Sequence, residues 1–244
     1  MEGLREVLKN KDLTQTEYQG RTFEVLIKVF KTYKKYLFPV FILFGINGYV
    51  LKNFIVFGTI NIEEMVMCFF LMTSAEFALS LFQNSIISKI DGNNESDKTY
   101  LVFKAIVLSI IMSLINFFLT VSNNTFMSVI ITIILALCFS YFRQIYLSQD
   151  LNLFEAIEEN FKLLDGNRKR IIIPFIVVNI VFNVLSAGFI ASAALIANYS
   201  TELNAELVVI IILILYKFAE ALNEFYRKIL ASIIFLNVKY SWIF

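Results

Sequence analysis

The stretch LYKFAEALNEFYRK, residues 215–228, carries Lys217, Glu220, Glu224, Arg227 and Lys228 between two apolar runs, VVIIILI (208–214) and ILASIIFLNV (229–238). Charges inside such a tract either line the interior of a membrane helix or mark the point where the helix has left the membrane. Spacing bears on the choice. Lys217 and Glu220 stand at i,i+3, and Glu224 reaches Arg227 and Lys228 at i+3 and i+4, so the charges form one self-paired stripe. The uncharged run from Leu207 to Tyr216 rises only about 15 Å, half of a hydrocarbon core of about 30 Å. If the helix enters near Glu206, Lys217 and Glu220 lie near mid-depth, and Arg227 and Lys228 reach the inner interface.

The rest of the chain has the character of a membrane protein. It has 244 residues, 58% hydrophobic and only 17% charged, with a mean hydropathy of +0.72. These values lie outside the range of ordinary soluble domains. Period-two alternation is absent from the long tracts, which argues against a β-barrel. The fold class expected is an all-α, polytopic membrane helical bundle of about six transmembrane helices. Residues 1–21 read as a cytoplasmic N-terminal segment without a signal-peptide core, and 22–244 as a single transmembrane domain. The spans fall near Tyr36–Gly58, Met65–Ile87, Tyr100–Val121, Phe126–Leu147, Ile171–Tyr199 and from Glu206 onward. With both termini cytoplasmic, the inner segments hold nineteen of the twenty-one Lys and Arg residues, as the positive-inside bias requires. Lys104 and Arg143 then lie near cytoplasmic helix ends, from which they are expected to snorkel. Cys68 and Cys138 sit in apolar runs and read as buried thiols.

Two segments have helical periodicity without being spans. TFEVLIKVFKTYKK places Phe23, Leu26, Phe30 and Tyr33 on one stripe, and NLFEAIEENFKLLDGNRKR does the same with Phe154, Ile157, Phe161 and Leu164. In the second, Asn152 and Glu155 form a capping-box pattern and Asp165-Gly166 supplies a stop. Both read as amphipathic helices on the inner membrane surface. Their basic clusters, Lys31, Lys34, Lys35 and Arg168, Lys169, Arg170, are candidates for the cytoplasmic interface or for docking a partner. Each cluster precedes one of the only two prolines, Pro39 and Pro174, expected in the first turn of a span.

FEVLIKVFK (23–31) and FEAIEENFK (154–162) share one frame, and EFALSLFQN (76–84) aligns with EALNEFYRK (220–228). A parallel internal repeat of helix–span–span units at 22–90 and 153–235 follows, with spans three and four at 100–147 between them. The twice-used pattern, carried by FEAIEENFKLLDGNRKRIIIPFI (154–176) and the closing ASIIFLNVKY (231–240), resembles the membrane domain associated with bacterial glycerophosphoryl diester phosphodiesterases and related uncharacterised bacterial integral-membrane families. The resemblance implies a fold. It does not imply phosphodiesterase activity, since that family's catalytic domain is a separate soluble one.

Glu76 lies at the middle of Met65–Ile87 with no base in that span, and Lys217 or Glu220 is its expected companion in a shared polar interior. Glu76, Lys217, Glu220, Glu224 and Gln83 are thus the candidate pathway residues. The function expected is a transport or permease-type component of a bacterial cytoplasmic membrane, exporting or protecting against a small molecule or peptide. The alternative is a non-catalytic scaffold or accessory subunit whose polar stripes serve helix packing and partner binding. With no histidine and no nucleophile beside a base, enzymatic activity, a cofactor and a metal are not expected. The partners expected are the lipid bilayer and a separate cytoplasmic ATPase or other membrane subunit, and no nucleic acid.

Overall fold

The structure, a computed structural model, describes residues 2–50, 61–92, 98–121, 131, 134–135, 138–199 and 204–243. The expectations for the end of the first span and for the start of the fourth span lie outside the described residues. The described chain is all-α, with nine helices among the described residues: α1 (Glu2–Asn10), α2 (Gln15–Thr32), α3 (Lys34–Val50), α4 (Ile62–Asp91), α5 (Lys98–Val121), α6 (Phe142–Ser148), α7 (Leu153–Leu164), α8 (Arg168–Tyr199) and α9 (Asn204–Ile243). Three stretches are long and apolar enough to cross a membrane: Ile62–Asp91, Lys98–Asn116 and Arg168–Ser192.

The second half of α9 is the axis of the bundle. Every residue from Ile229 to Val238 is buried, the pattern of a helix surrounded on all sides. α3 and α4 pack as a hairpin, as do α8 and α9, and α3 also lies along α9. Side-chain pairs fix the directions. Phe41 of α3 meets both Phe218 and Phe225, at 5.7 and 6.0 Å between ring centroids, while Tyr33 and Tyr36 meet Phe82 of α4. Because Gly48 lies against Leu213 and Lys217 while Phe41 reaches Phe225, α3 runs antiparallel to α9; because Phe82 meets Phe225 and Asp91 accepts from Tyr240, α4 and α9 run parallel. Gly48 permits the close crossing of α3 and α9, because a Cβ there would stand 2.7 Å from Lys217 Cγ.

The two amphipathic helices form where the sequence places them, with matching faces. In α2, Val25 and Val29 are buried, Leu26 is half-buried, and Phe23 and Phe30 are exposed; in α7 the aligned Ala156, Asn160, Ile157, Phe154 and Phe161 take the same states in the same order. Asn152 and Glu155 make the expected capping box, and Gly166 takes the left-handed turn at φ 73°. Thr14 and Glu17 make an equivalent box at the start of α2.

The prolines differ from expectation. α3 begins at Lys34 and α8 at Arg168, so the basic clusters occupy the first turns and Pro39 and Pro174 fall in the second. Each proline there withholds an N–H from the carbonyl four residues earlier. Residues 2–21 are not set apart from the bundle. Asn237 of α9 accepts from Tyr18 Oη (2.6 Å) and the Leu13 N–H (3.4 Å), and donates to the carbonyls of Leu8 (2.8 Å) and Lys11 (2.9 Å). One buried amide thus docks α1 and the α1–α2 connection onto α9. The Lys9 ammonium over the Tyr240 ring adds to this contact.

The outer surface is strongly apolar. α8 turns Ile173, Ile176, Ile180, Val181, Val184 and Leu185 outward, and Val184 is 68% exposed. α3 does the same with Phe38, Ile42, Ile46 and Tyr49. Apolar faces this extensive on a folded surface mark contact with something other than water.

Candidate functional site: a buried ionic cluster

Glu76 stands in the middle of α4 and is buried. Its carboxylate lies 2.7 Å from Arg143 of α6 and 3.8 Å from Lys228 of α9. Lys228 also faces Glu224 at 3.7 Å, and Glu224 holds Arg227 at 2.7 Å. Arg143 donates to Ser80 Oγ at 2.9 Å, one turn below Glu76 on α4. Three helices distant in sequence are therefore joined through two carboxylates and three cations.

Local chemistry places Arg143. The chain turns at residues 139–141 and enters the short helix α6, so the expected fourth span does not run unbroken to Leu147. Asn160 of α7 holds this turn by accepting from the Tyr141 N–H (3.0 Å) and donating to the Cys138 carbonyl (2.7 Å). With its amide oriented to satisfy its neighbours, Gln144 donates to the carbonyls of Tyr141 (3.0 Å) and Ser140 (3.3 Å) and accepts from Gln83 Nε2 (3.3 Å). Gln83 thus joins the cluster's floor, as a contact to α6.

Two expectations are corrected here. Glu76 pairs with Arg143 and Lys228, not with Lys217. Eleven residues separate Lys217 from Lys228, about 16 Å along a helix, and Lys217 instead pairs with Glu220 at 2.6 Å beside Gly48. Nor do Arg143 and Lys104 snorkel outward. Both are buried; Lys104 donates to the Gln149 carbonyl at 2.8 Å, with its ammonium over the rings of Tyr100 and Tyr146.

The self-paired stripe of α9 has the spacing read from the sequence: Lys217 with Glu220, and Glu224 with Arg227 and Lys228. Phe41 touches both Phe218 and Phe225, which levels this stripe with the turn of α3 that exposes Phe38 and Ile42. Charges face inward at a level where the outside is apolar.

Comparison with protein-family models, with curated proteins and with solved structures gives no match.

Of the basic clusters, Arg170 is engaged within the fold by Asp12 at 2.7 Å and by Ser241 at 3.3 Å. Lys31, Lys34, Lys35, Arg168 and Lys169 are exposed. Both cysteines are free thiols. Sequence reasoning misses Arg143 as Glu76's partner because the only signal, a base in an apolar run, is also the signal for snorkelling.

Proposed function

We propose that the chain is a non-catalytic, multi-pass component of the bacterial cytoplasmic membrane, with six spans and both termini cytoplasmic, acting as a scaffold or accessory subunit. Under this reading the ionic cluster locks α4, α6 and α9 into one register. The observation that carries it is the ion pairing that links Glu76, Arg143 and Lys228, and through Lys228 the half-buried Glu224 and Arg227, across three helices. A buried charge persists where it is paired, and removal of one partner costs about 3–5 kcal/mol. The resemblance to the membrane domain of the phosphodiesterase family belongs to this proposal as a statement about fold.

Transport of a small molecule or peptide, with a separate ATPase as partner, is the second reading. Asn47 favours it: this α3 amide is 1% exposed, and among the described residues neither its nitrogen nor its oxygen has a hydrogen-bond partner. It neighbours Gly48, against which Lys217 packs. A polar group held ready in the interior is what a permeation path needs.

Charge exchange separates the two. Glu76→Arg combined with Arg143→Glu and Lys228→Gln keeps the closer pair, reverses its direction and removes the cation that would otherwise face the guanidinium at 76. A lock predicts that each single variant fails to assemble and that the exchange recovers folded protein and function together. A path predicts recovered folding with function still lost.

A further inference from the structure

The outward face of α2 divides into two parts. At 100° per residue, Phe23, Ile27 and Phe30 form an exposed apolar stripe about 120° round the helix from the buried Thr22, Val25 and Val29. The remaining arc holds the exposed Lys28 and Lys31, and Lys34 and Lys35 follow at the elbow into α3. Lys89, at the end of α4, joins them: its ammonium lies 5.5 Å from the Tyr33 ring, while that of Lys35 lies 4.9 Å from Tyr36, and the two rings stack. Among the described residues none of these five lysines has a carboxylate partner, and the nearby Glu24 is taken by Arg21 at 3.0 Å. The apolar stripe is followed, on the next helix, by the outward Phe38, Ile42, Ile46 and Tyr49.

We infer that the α2–α3 elbow is a docking surface for the anionic phospholipids of one leaflet, with the phenylalanines set among acyl chains and the five lysines on phosphate headgroups. This rests on the membrane reading above and adds a lipid preference to it. Charge complementarity singles out α2. The matching face of α7 keeps its phenylalanines but carries Glu158 and Glu159 where α2 has Ile27 and Lys28, and its Lys162 is paired with Glu158 at 2.8 Å, which leaves Arg168 and Lys169 at the following elbow beside an acidic face. Two helices with the same apolar geometry thus differ in the headgroup they attract. An acidic protein partner would use the lysines but would leave the apolar stripe, aimed along the bundle's outer surface, without a role.

A lysine near an anionic leaflet carries about a fivefold preference, so four of them carry several hundredfold at most. Native mass spectrometry of the full chain in detergent, titrated with phosphatidylglycerol or phosphatidylcholine of matched acyl chains, reads it. The wild-type chain binds phosphatidylglycerol at least about tenfold more tightly. K28Q/K31Q/K34Q/K35Q, which leaves Lys89, brings the two lipids to within about fivefold, the corresponding four arginine substitutions keep the preference, and K162Q/K169Q leaves it unchanged. Equal binding of both lipids by the wild type overturns the inference, as does a wild-type preference undiminished by the four glutamines. Displacement of phosphatidylglycerol by equimolar glycerol 3-phosphate, or tighter binding of an acidic peptide, also overturns it in favour of a free anion or a protein. Release of the chain from membranes by alkaline carbonate overturns the membrane reading itself, whereas an integral chain without lipid preference overturns only this inference.

Discussion

Glu76→Gln removes one charge from a cluster of two carboxylates and three cations, and leaves the buried Arg143 and the largely buried Lys228 against a neutral amide. At an effective dielectric of about 20, the 2.7 Å and 3.8 Å contacts correspond to gross attractions of about 6 and about 4 kcal/mol. Desolvation offsets much of this, so the expected net cost is about 3–5 kcal/mol. In a chain of this length that lowers the unfolding midpoint by roughly 10 °C. The signature is the double variant. Glu76→Gln with Arg143→Gln also removes the more closely held cation, leaving Lys228 with Glu224 at 3.7 Å. It should therefore be at least as stable as Glu76→Gln alone, with a coupling energy of about 2 kcal/mol or more. Thermal unfolding in detergent, followed by size-exclusion chromatography of the fluorescently tagged chain, measures both. A Glu76→Gln midpoint within about 2 °C of wild type, or strictly additive costs, would refute the reasoning that the cluster holds the helices together.

Other outcomes follow from single features. Asn237→Ala leaves the Leu8 and Lys11 carbonyls and the Tyr18 hydroxyl without their partner; a loss of about 2–4 kcal/mol is expected, with tryptic cleavage at Lys9 and Lys11 well before the rest of the chain. Gly48→Ala drives a Cβ to 2.7 Å from Lys217 Cγ and 3.3 Å from the Leu213 carbonyl and should cost about 1–3 kcal/mol, whereas Gly188→Ala meets nothing within 4 Å and should stabilise α8 by up to about 1 kcal/mol; unfolding midpoints of the pair test this contrast. At the start of α2, the Lys11 ammonium and the Thr14 donors hold the Glu17 carboxyl down at about 2 from an ordinary 4.5. A depressed carboxylate contributes stability that is present above its unfolded value and lost as pH falls through its folded one. Exchange of the Thr14 amide hydrogen, bonded to Glu17 at 2.9 Å, should therefore quicken as pH drops from about 4.5 to about 2, beyond the intrinsic trend, and should not in Glu17→Gln.

Local patterns are the legible part of this chain. The Asn152–Glu155 box, the left-handed Gly166, the i,i+3 and i,i+4 pairs of α9 and the two amphipathic stripes all depend on residues within one or two turns of each other, where spacing alone fixes geometry. The partner of Glu76 does not, because it is set by the turn at 139–141 that swings Arg143 back onto α4, and Asn160 on yet another helix holds that turn. The alignment of α4 with α9 indicates that the two helices share a polar interior, but it cannot set their axial offset. That offset makes Lys228, rather than Lys217, the neighbour of Glu76. Asn237 reads in sequence as one polar residue in a closing apolar run, and its role depends on an N-terminal segment more than two hundred positions away. The first turns of α3 and α8 escape the sequence reading because a basic cluster ahead of a proline suggests that the helix begins at the proline.

The membrane reading requires the apolar outer belt to face lipid while the charges face inward. Site-directed spin labelling tests this at Val184, the outward residue of α8 that is 68% exposed. A single cysteine is placed there after Cys68→Ser and Cys138→Ser, and the chain is reconstituted in liposomes. Collision with oxygen well above collision with a water-soluble nickel chelate is the predicted result. Free access of the nickel chelate to Val184 would place α8 in water and contradict the account.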